Sequence, residues 1–349
     1  MKNIVFENLE IFQDIDFGKF TTMKLSGRAK YFTVVKSVED FSAAVHFLKK
    51  ENIPFFILGG GSNTIVRSEF FPGIVIKNEI LGFEQVFEDD KKIEFKVNSG
   101  VNWDEFVRFA VLKNLSGCEA MAMIPGTVGA LPIQNVGAYG QEVVDILKGV
   151  EVFEIETEEI KTLSKEECQL SYRDSIFKRD KKDKYFVISI NLELSKDRLE
   201  DPKYETLKQE LKKKNIGKEN LTAKDIMEAV VEIRSRKLPD PEEIPSAGSF
   251  FKNVKITENI AEDFRKKYPG IPIFEVGDNE YKIPTGWLIE QAGLKGKEFF
   301  GMRVHPGSAL VLTNISAKSY DELAQARKLI QDRVFEKFGL KIEQEPLEI

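Results

Sequence analysis

Met123-Ile-Pro-Gly-Thr-Val-Gly-Ala-Leu-Pro-Ile-Gln-Asn-Val-Gly-Ala-Tyr-Gly140 is the stretch on which the reading of this chain turns. Small residues dominate it, and several main-chain amides crowd into a short length. That composition suits a bound pyrophosphate and a flat ring, because N–H groups uncovered by side chains can converge on phosphate oxygens. Some sixty residues earlier, Gly59-Gly60-Gly61-Ser62-Asn63 follows an apolar run, Ile53 to Leu58, that reads as a buried strand. Either segment alone also fits a plain glycine-rich turn; two in one chain favour a nucleotide. The first is no Rossmann fingerprint: Gly59 and Gly61 are correctly spaced, but Thr64 occupies the third glycine position. Nor is it a Walker A loop, since no Gly-Lys-Ser/Thr follows.

Outward from these segments, the chain has room for two or three domains in 349 residues, at ~100–200 residues each. With 42% apolar and 31% charged residues it has the make-up of a folded globular protein. Fifty-one Lys+Arg against 57 Asp+Glu leave a net charge of −6, which argues against nucleic acid or an anionic membrane as partner. The two cysteines, Cys118 and Cys168, make no Cys-x-x-Cys, so a zinc ribbon or a dithiol redox pair is excluded. Only His46 and His305 are present, which disfavours histidine metal sites and histidine acid–base schemes; no metal is expected. Glu7 and Glu10 interrupt the N-terminal stretch where a signal peptide would be apolar, so the expected location is the cytoplasm.

Local patterns place the two segments in a mixed chain. Ser37 and Asp40 predict a helix start before Phe41, Ala44, Val45 and Leu48. Ile93, Phe95 and Val97 alternate as a half-buried strand, and Asn102 with Glu105 predicts a capped helix carrying Trp103, Phe106, Val107, Ala110 and Val111. Strands are expected over 150–155 and 186–194. Residues 178–184, Lys-Arg-Asp-Lys-Lys-Asp-Lys, read as a solvated turn. The Lys-rich, apolar-poor stretch 195–221 reads as a linker or excursion. Thr222 with Asp225 opens a helix, and a last one is expected from Ser319 to Phe338 with Gly339 as its cap.

Gly59–Asn63 followed by the 123–140 segment resembles the flavin domain of the UDP-N-acetylenolpyruvoylglucosamine reductases. That domain is of the PCMH type, shared with vanillyl-alcohol-oxidase-like flavoproteins. Three later blocks extend the likeness: Leu170-Ser-Tyr-Arg-Asp-Ser175; Lys237-Leu-Pro-Asp-Pro241 with Ala247-Gly-Ser-Phe-Phe-Lys-Asn253; and Gly286 to Gly296 with Val304-His305. The resemblance implies an α+β architecture: a two-lobed FAD-binding PCMH-type domain plus a C-terminal α+β substrate-binding domain. Expected boundaries are 1–68 for the first lobe, with 339–349 returning to it, 69–200 for the second, 201–221 for the linker, and 222–338 for the substrate-binding part.

The resemblance further implies NADPH-dependent, FAD-mediated reduction of UDP-N-acetylglucosamine enolpyruvate to UDP-N-acetylmuramate, in the service of cell-wall biogenesis, cell shape, cell cycle and cell division. Both substrates carry a pyrophosphate, so one shared pocket and ping-pong kinetics are expected of a monomer. FAD is expected on Gly59, Gly60, Gly61, Ser62, Asn63, Ile124, Pro125, Gly126, Thr127, Gly129, Ala130, Asn135, Gly137 and Ala138. Ser249 carries over as the proton donor. Arg173 carries over as the group holding the enolpyruvyl carboxylate, with a structural ion pair to Asp174 or a neighbour as its alternative. Glu345 carries over as their acidic companion, with Glu343 as alternative. Substrate and nicotinamide contacts fall on Tyr139, Tyr172, Tyr204, Lys237, Asn253 and Lys295. His305, Trp287, Leu288 and Ile289 read as structural. The chain departs from the family pattern at Phe274, where a tyrosine is frequent, at Ser308, where a glutamine is common, and at Leu347, where a basic residue is usual. An oxidase of the same superfamily would have no reason to keep Arg173, Ser249 and a terminal glutamate, and a non-catalytic descendant would have shed them.

Overall fold

The computed structural model describes residues 3–197, 199, 202, 204–277 and 279–349, which form two compact units. The first comprises 1–15, 29–60 and 72–235, and the second 16–28, 61–71 and 236–349.

In the first unit, a five-stranded sheet has the order Asn3–Phe6, Leu9–Asp16, Arg28–Val35, Phe70–Asn78, Phe55–Leu58. The last two run parallel, with Phe55 opposite Ile74 and Leu58 opposite Lys77. The helix Val38–Glu51 begins as expected, with the Ser37 hydroxyl accepting from the Asp40 N–H. A second, antiparallel sheet orders Ile160–Ser164, Leu147–Glu154, Tyr185–Ser195, Lys92–Asn98, Phe83–Glu88. Phe41 of the helix stacks on Phe186 at 3.8 Å between centroids and meets Phe153 edge-on at 5.4 Å, which joins the helix to the second sheet. Such aromatic pairs add ~1 kcal/mol to the burial itself. On the other side of that sheet, Ile93, Phe95 and Val97 join Trp103, Phe106, Val107 and Ala110 of the helix Trp103–Leu112 in the largest core. Trp103 is fully buried, and its indole N–H donates to the Met121 carbonyl at 3.2 Å.

These units cut across the parts expected from chain order. The helix Ala223–Lys237, expected to open the substrate-binding part, buries Ile226, Ala229, Val230 and Ile233 in the first unit's core. The expected linker also behaves differently. It contains the helix Glu205–Lys213, whose Leu207 and Leu211 are buried in the same core; Asp201 and Lys203 of that stretch lie outside the described residues.

The second unit has a sheet ordered Ser246–Ser249, Val311–Asn314, Met302–Val304, Glu298–Phe299, and a three-stranded sheet ordered Val254–Thr257, Glu280–Ile283, Phe274–Gly277. Its core gathers Phe250, Phe251, Leu288, Ile289 and Met302 with Leu323, Ala326, Ile330 and Val334 of the helix Tyr320–Phe338. Leu347–Glu348 pairs in parallel with Thr64–Ile65. Among the described residues no helix is long and apolar enough to cross a membrane, and no group of three or more His, Cys, Asp or Glu could hold a metal ion. Both cysteines are free and buried, and burial pushes the Cys168 thiol up to about 12, which leaves it unreactive.

The first unit carries a pH-sensitive clasp. His46 contacts Glu7 through Nδ1 and Glu158 through Nε2, each at 2.8 Å. Two carboxylate partners require both ring nitrogens to donate, which only the imidazolium does. The hydrogen bonds to Glu7 and Glu158 therefore raise the His46 pKa. A raised folded value means the contribution is complete below about pH 6.5, the unfolded value, and fades as pH climbs through the folded one. His46→Gln should therefore lose thermal stability relative to the native protein near about pH 6, and the gap should close near about pH 9. Melting curves across that range check it; a gap independent of pH would refute it.

Candidate active site

The strand Phe55–Leu58 delivers its chain straight into Gly59 and Gly60, and the parallel neighbour holds that end: Lys77 Nζ donates to the Gly59 carbonyl at 2.7 Å. The two glycine-rich segments meet here. A Cβ added at Gly59 would lie 2.7 Å from Thr127 Oγ1, and one at Gly60 would lie 2.7 Å from Gly126 Cα. Contact this close leaves no space for side chains between the two loops. The 126–130 loop is pinned from behind: Trp103 N–H donates to Gly126 O at 3.1 Å, Val128 N–H to Val101 O at 2.9 Å, and Gly129 N–H to Ser99 O at 2.9 Å. Gly129 and Ala130 lie in the single helical turn Val128–Ala130 that follows Ile124, Pro125, Gly126 and Thr127.

The segment's second half is a hairpin, Gly137–Ala138 against Gln141–Glu142. Its two turn residues, Tyr139 and Gly140, both have positive φ (50° and 91°), the arrangement of a type I′ turn. Asn135 braces it, donating to Glu142 Oε2 at 2.7 Å and accepting from the Val144 N–H at 3.1 Å. The Tyr139 ring meets Tyr204 edge-on at 5.3 Å. Burial raises the phenol pKa against the pull of Arg234, so Tyr139 is a neutral hydrogen-bonding group at ordinary pH.

Arg173 sits with φ 55° in the turn after Leu170. Its guanidinium donates to the main-chain carbonyls of Asn135 (3.3 Å) and Gly137 (3.1 Å), and lies 5.3 Å from the Tyr172 ring. Asp174, the alternative partner, pairs with Arg179 at 3.3 Å. Ser175 fastens the turn to the same loop, donating to Ile133 O at 2.6 Å. Arg173, Asn135, Gly137 and Tyr139 are thus one assembly in the first unit.

In the second unit, Ser249 ends the strand Ser246–Ser249, half-buried, across an irregularity in the pairing with Val311–Asn314. Phe250 and Phe251, both buried, anchor the chain immediately after it. The C-terminal residues pair alongside: Lys252 N–H donates to Glu343 O and Glu345 N–H to Phe250 O, each at 2.9 Å. Glu345 is half-buried beside the serine strand. Glu343 is 75% exposed and pairs with Lys252 at 3.4 Å, which separates the two candidate glutamates. Leu347 N–H donates to Asn63 O at 2.9 Å, which ties the same segment to Gly61-Ser62-Asn63.

The remaining expected residues are scattered in the second unit. Asn253 Oδ1 accepts from the Thr285 N–H at 3.0 Å, Lys295 pairs with Glu290 at 3.0 Å, and Lys237 is exposed with its carbonyl against Gly307. His305 accepts from the Gly307 N–H at 3.1 Å, and burial lowers its pKa, as befits a neutral structural ring. Phe274 is 53% exposed on the outer strand Phe274–Gly277.

Two supports were missing from the sequence reading. Arg234 donates to the Met123 carbonyl at 3.1 Å and hydrogen-bonds Tyr139, with burial lowering its pKa. Glu119 is 1% exposed, and burial raises its carboxyl pKa. It accepts from the Gly117 N–H at 2.6 Å and from Gln141 Nε2 at 2.8 Å. Arg234 acts on Met123 and Tyr139 and Glu119 on Gln141, residues distant in sequence, and neither sits in a glycine or aromatic signature.

The residues fit a flavin dinucleotide. Thr127 Oγ1 is buried beside Gly59 with no hydrogen-bond partner among the described residues, the situation of a hydroxyl that serves a bound group. A family model described as an FAD binding domain matches residues 29–164. A second, for the C-terminal domain of UDP-N-acetylenolpyruvoylglucosamine reductase, matches residues 240–349. The chain is 39% identical over 338 residues to a protein of that name from Flavobacterium johnsoniae, covering 97% of this chain and 99% of that one. It is 37% identical to the Amoebophilus asiaticus protein (97% and 98% covered) and 36% to that of Photobacterium profundum (97% and 95%). The fold is that of the crystal structure of the Thermus caldophilus reductase, with a TM-score of 0.64 at 22% identity over 97% of this chain and 98% of that chain. Identity at this level along nearly the whole length of each relative, with an FAD domain in place, makes this chain an FAD-dependent oxidoreductase that belongs to the UDP-N-acetylenolpyruvoylglucosamine reductase family.

Proposed function

We propose that the protein reduces UDP-N-acetylglucosamine enolpyruvate to UDP-N-acetylmuramate at the expense of NADPH, a step of peptidoglycan precursor synthesis, as a cytoplasmic monomer. The observation that carries the reading is the pairing of residues 343–345 with 250–252, which sets Glu345 beside the Ser249 strand.

The cofactor would be held by Gly59 and Gly60 against Gly126, with Thr127 Oγ1 as a hydroxyl for a phosphate oxygen and Gly61, Ser62 and Asn63 continuing the loop. Bound there, FAD would supply hydride-transfer chemistry between NADPH and the enolpyruvyl double bond. The chain's own residues then have two tasks: to stabilise the carboxylate as it gains enolate character, and to protonate the adjacent carbon. Arg173 suits the first. A guanidinium offers five N–H donors in a rigid fork, and the carbonyls of Asn135 and Gly137 fix its orientation before substrate arrives. Ser249 suits the second. An alcohol is a weak acid, yet a carbanion-like enolate is a strong enough base to take its proton. Glu345 is the acidic group proposed for the same step. Tyr139, Tyr172, Tyr204, Lys237, Asn253 and Lys295 would serve substrate and nicotinamide binding.

The test is NADPH consumption by the purified yellow protein under anaerobic conditions. Sustained turnover only when UDP-N-acetylglucosamine enolpyruvate is present is the expected result. A flavin reduced once and then left reduced in the presence of that sugar would overturn the substrate assignment.

A further inference from the structure

The helix Tyr320–Phe338 carries two arginines that the reaction does not call on, Arg327 and Arg333. Arg327 is 21% exposed and directs its guanidinium at residues 344–348. Its Nη1 donates to Gln344 Oε1 at 2.6 Å and to Glu348 Oε1, and its Nη2 to the Tyr320 hydroxyl at 3.1 Å. Tyr320 in turn donates to Glu348 Oε1 at 2.9 Å. Gln344 Nε2 closes the network on Glu348 Oε1 (3.2 Å) and on the Pro346 carbonyl (2.8 Å). Arg67 completes it, its guanidinium 5.9 Å from the Tyr320 ring and its Nε 3.9 Å from Glu348. Burial opposes the charge on Glu348, yet the bonds from Arg327 and Tyr320 hold its carboxyl pKa below the ordinary value.

The arrangement matters because of alternation. Residues 343–348 run between two pairings, Phe251 with Gln344 and Thr64–Ile65 with Leu347–Glu348, with a bend at Pro346. Successive side chains of paired strand residues point to opposite faces, and across the bend Gln344 and Glu348 are both held on the helix side by Arg327 Nη1. Gln344 and Glu348 are taken by the network, and Ile342 and Pro346 are buried with them. Glu343, 75% exposed, and Leu347, 38% exposed, lie on the opposite parity. Glu345 shares that parity. A slip of one residue would exchange the two sets and carry Glu345 to the helix side.

We propose that Arg327 is a positioning residue for Glu345: with Tyr320, Gln344 and Glu348 it locks the register of residues 343–348, so that Glu345 faces away from the helix. The inference rests on the reading of Glu345 as a participant in the reaction. Its test uses the FAD-loaded protein and follows the two half-reactions separately. In Arg327→Gln, reduction of the flavin by NADPH should be unchanged, and reoxidation by the enolpyruvyl sugar should slow by about 100-fold, the scale set by a misplacement of about 1 Å. Hydrogen exchange at the Glu345 and Leu347 amides should quicken as their bonds to Phe250 and Asn63 open more often. In a Glu345→Gln background the same substitution should cost nothing further. Full-speed reoxidation in Arg327→Gln, or an undiminished loss in the Glu345→Gln background, would overturn the proposal. Should Arg327→Gln fail to fold, Glu348→Gln removes the network's acceptor and carries the same expectations. If Glu345→Gln alone reoxidises normally, Glu345 leaves the mechanism and the lock loses its purpose; that failure is read from the single variant.

Discussion

Ser249→Ala is expected to leave flavin reduction by NADPH intact and to slow reoxidation by the enolpyruvyl sugar by about 100-fold or more, the usual range for removal of a general acid being 10²–10⁴. The split follows from where the lost atom acts. NADPH delivers its electrons without any proton donated by the protein, so the first half-reaction has no use for the hydroxyl. The second requires a proton at the carbon next to the carboxylate. A hundredfold loss corresponds to about 2.7 kcal/mol of transition-state stabilisation, a plausible amount for one positioned donor. Structural damage should be small. Ser249 is half-buried, its neighbours Phe250 and Phe251 hold the backbone in the core, and Phe250 N–H remains bonded to Leu310 O at 2.8 Å. Stopped-flow flavin absorbance separates the two steps. Reoxidation at the native rate would remove Ser249 from the mechanism, whereas a loss in both steps would point to misfolding and would show as a lowered melting point. Ser249→Cys, which keeps an ionisable hydrogen at the same atom, should recover part of the rate.

What could be read from residues alone was local chemistry. The helix caps at Ser37, Asn102 and Thr222 form as the side-chain patterns require, with Asn102 accepting from the Glu105 N–H at 3.1 Å and Thr222 and Asp225 bonding reciprocally. Each depends on residues three apart, so sequence spacing is nearly spatial spacing. Both glycine-rich segments were legible for the same reason. Their contact was not, because nothing in Gly60 names Gly126 as its neighbour. The helix Glu205–Lys213 was hidden by its lysines. Leu207 and Leu211 are the apolar residues of its buried face, beside Glu210, and a period judged from two apolar residues cannot be told from a solvated excursion. The division into units escaped because it follows contacts and not chain order. Residues 16–28 and 61–71 leave the first unit's strands to join the second. Arg234 and Arg327 look like surface charges on amphipathic helices; only folded partners distant in sequence, Met123 for one and Glu348 for the other, give them roles.

Gly60→Val is expected to yield a colourless protein. The added Cβ would stand 2.7 Å from Gly126 Cα, a distance real Cβ atoms do not tolerate, and the γ-methyls would extend the clash. Neither side can yield cheaply. Gly60 lies one residue beyond a strand paired along its length with Phe70–Asn78, and the Lys77 bond holds the intervening Gly59. Gly126 is fixed by the Trp103 N–H on its carbonyl and by the next residues' bonds to Val101 and Ser99, all anchored on the helix and sheet of the main core. Overpacking of a tight site costs about 1–3 kcal/mol, which a protein of this size survives. The displaced surface is the one proposed to hold the dinucleotide, so the loss should appear first as flavin content and only second as stability. Gly140→Ala separates space from conformation. No atom lies within 4 Å of the Cβ it would add, but its φ of 91° disfavours any side chain. It should cost ~1–2 kcal/mol in melting and stay yellow. Flavin released by heat from each purified variant, counted per chain, makes the comparison. A Gly60→Val protein carrying a full complement of FAD would show that the meeting of the two loops is not what holds the cofactor, and the assignment of Gly59, Gly60, Gly126 and Thr127 would fall with it.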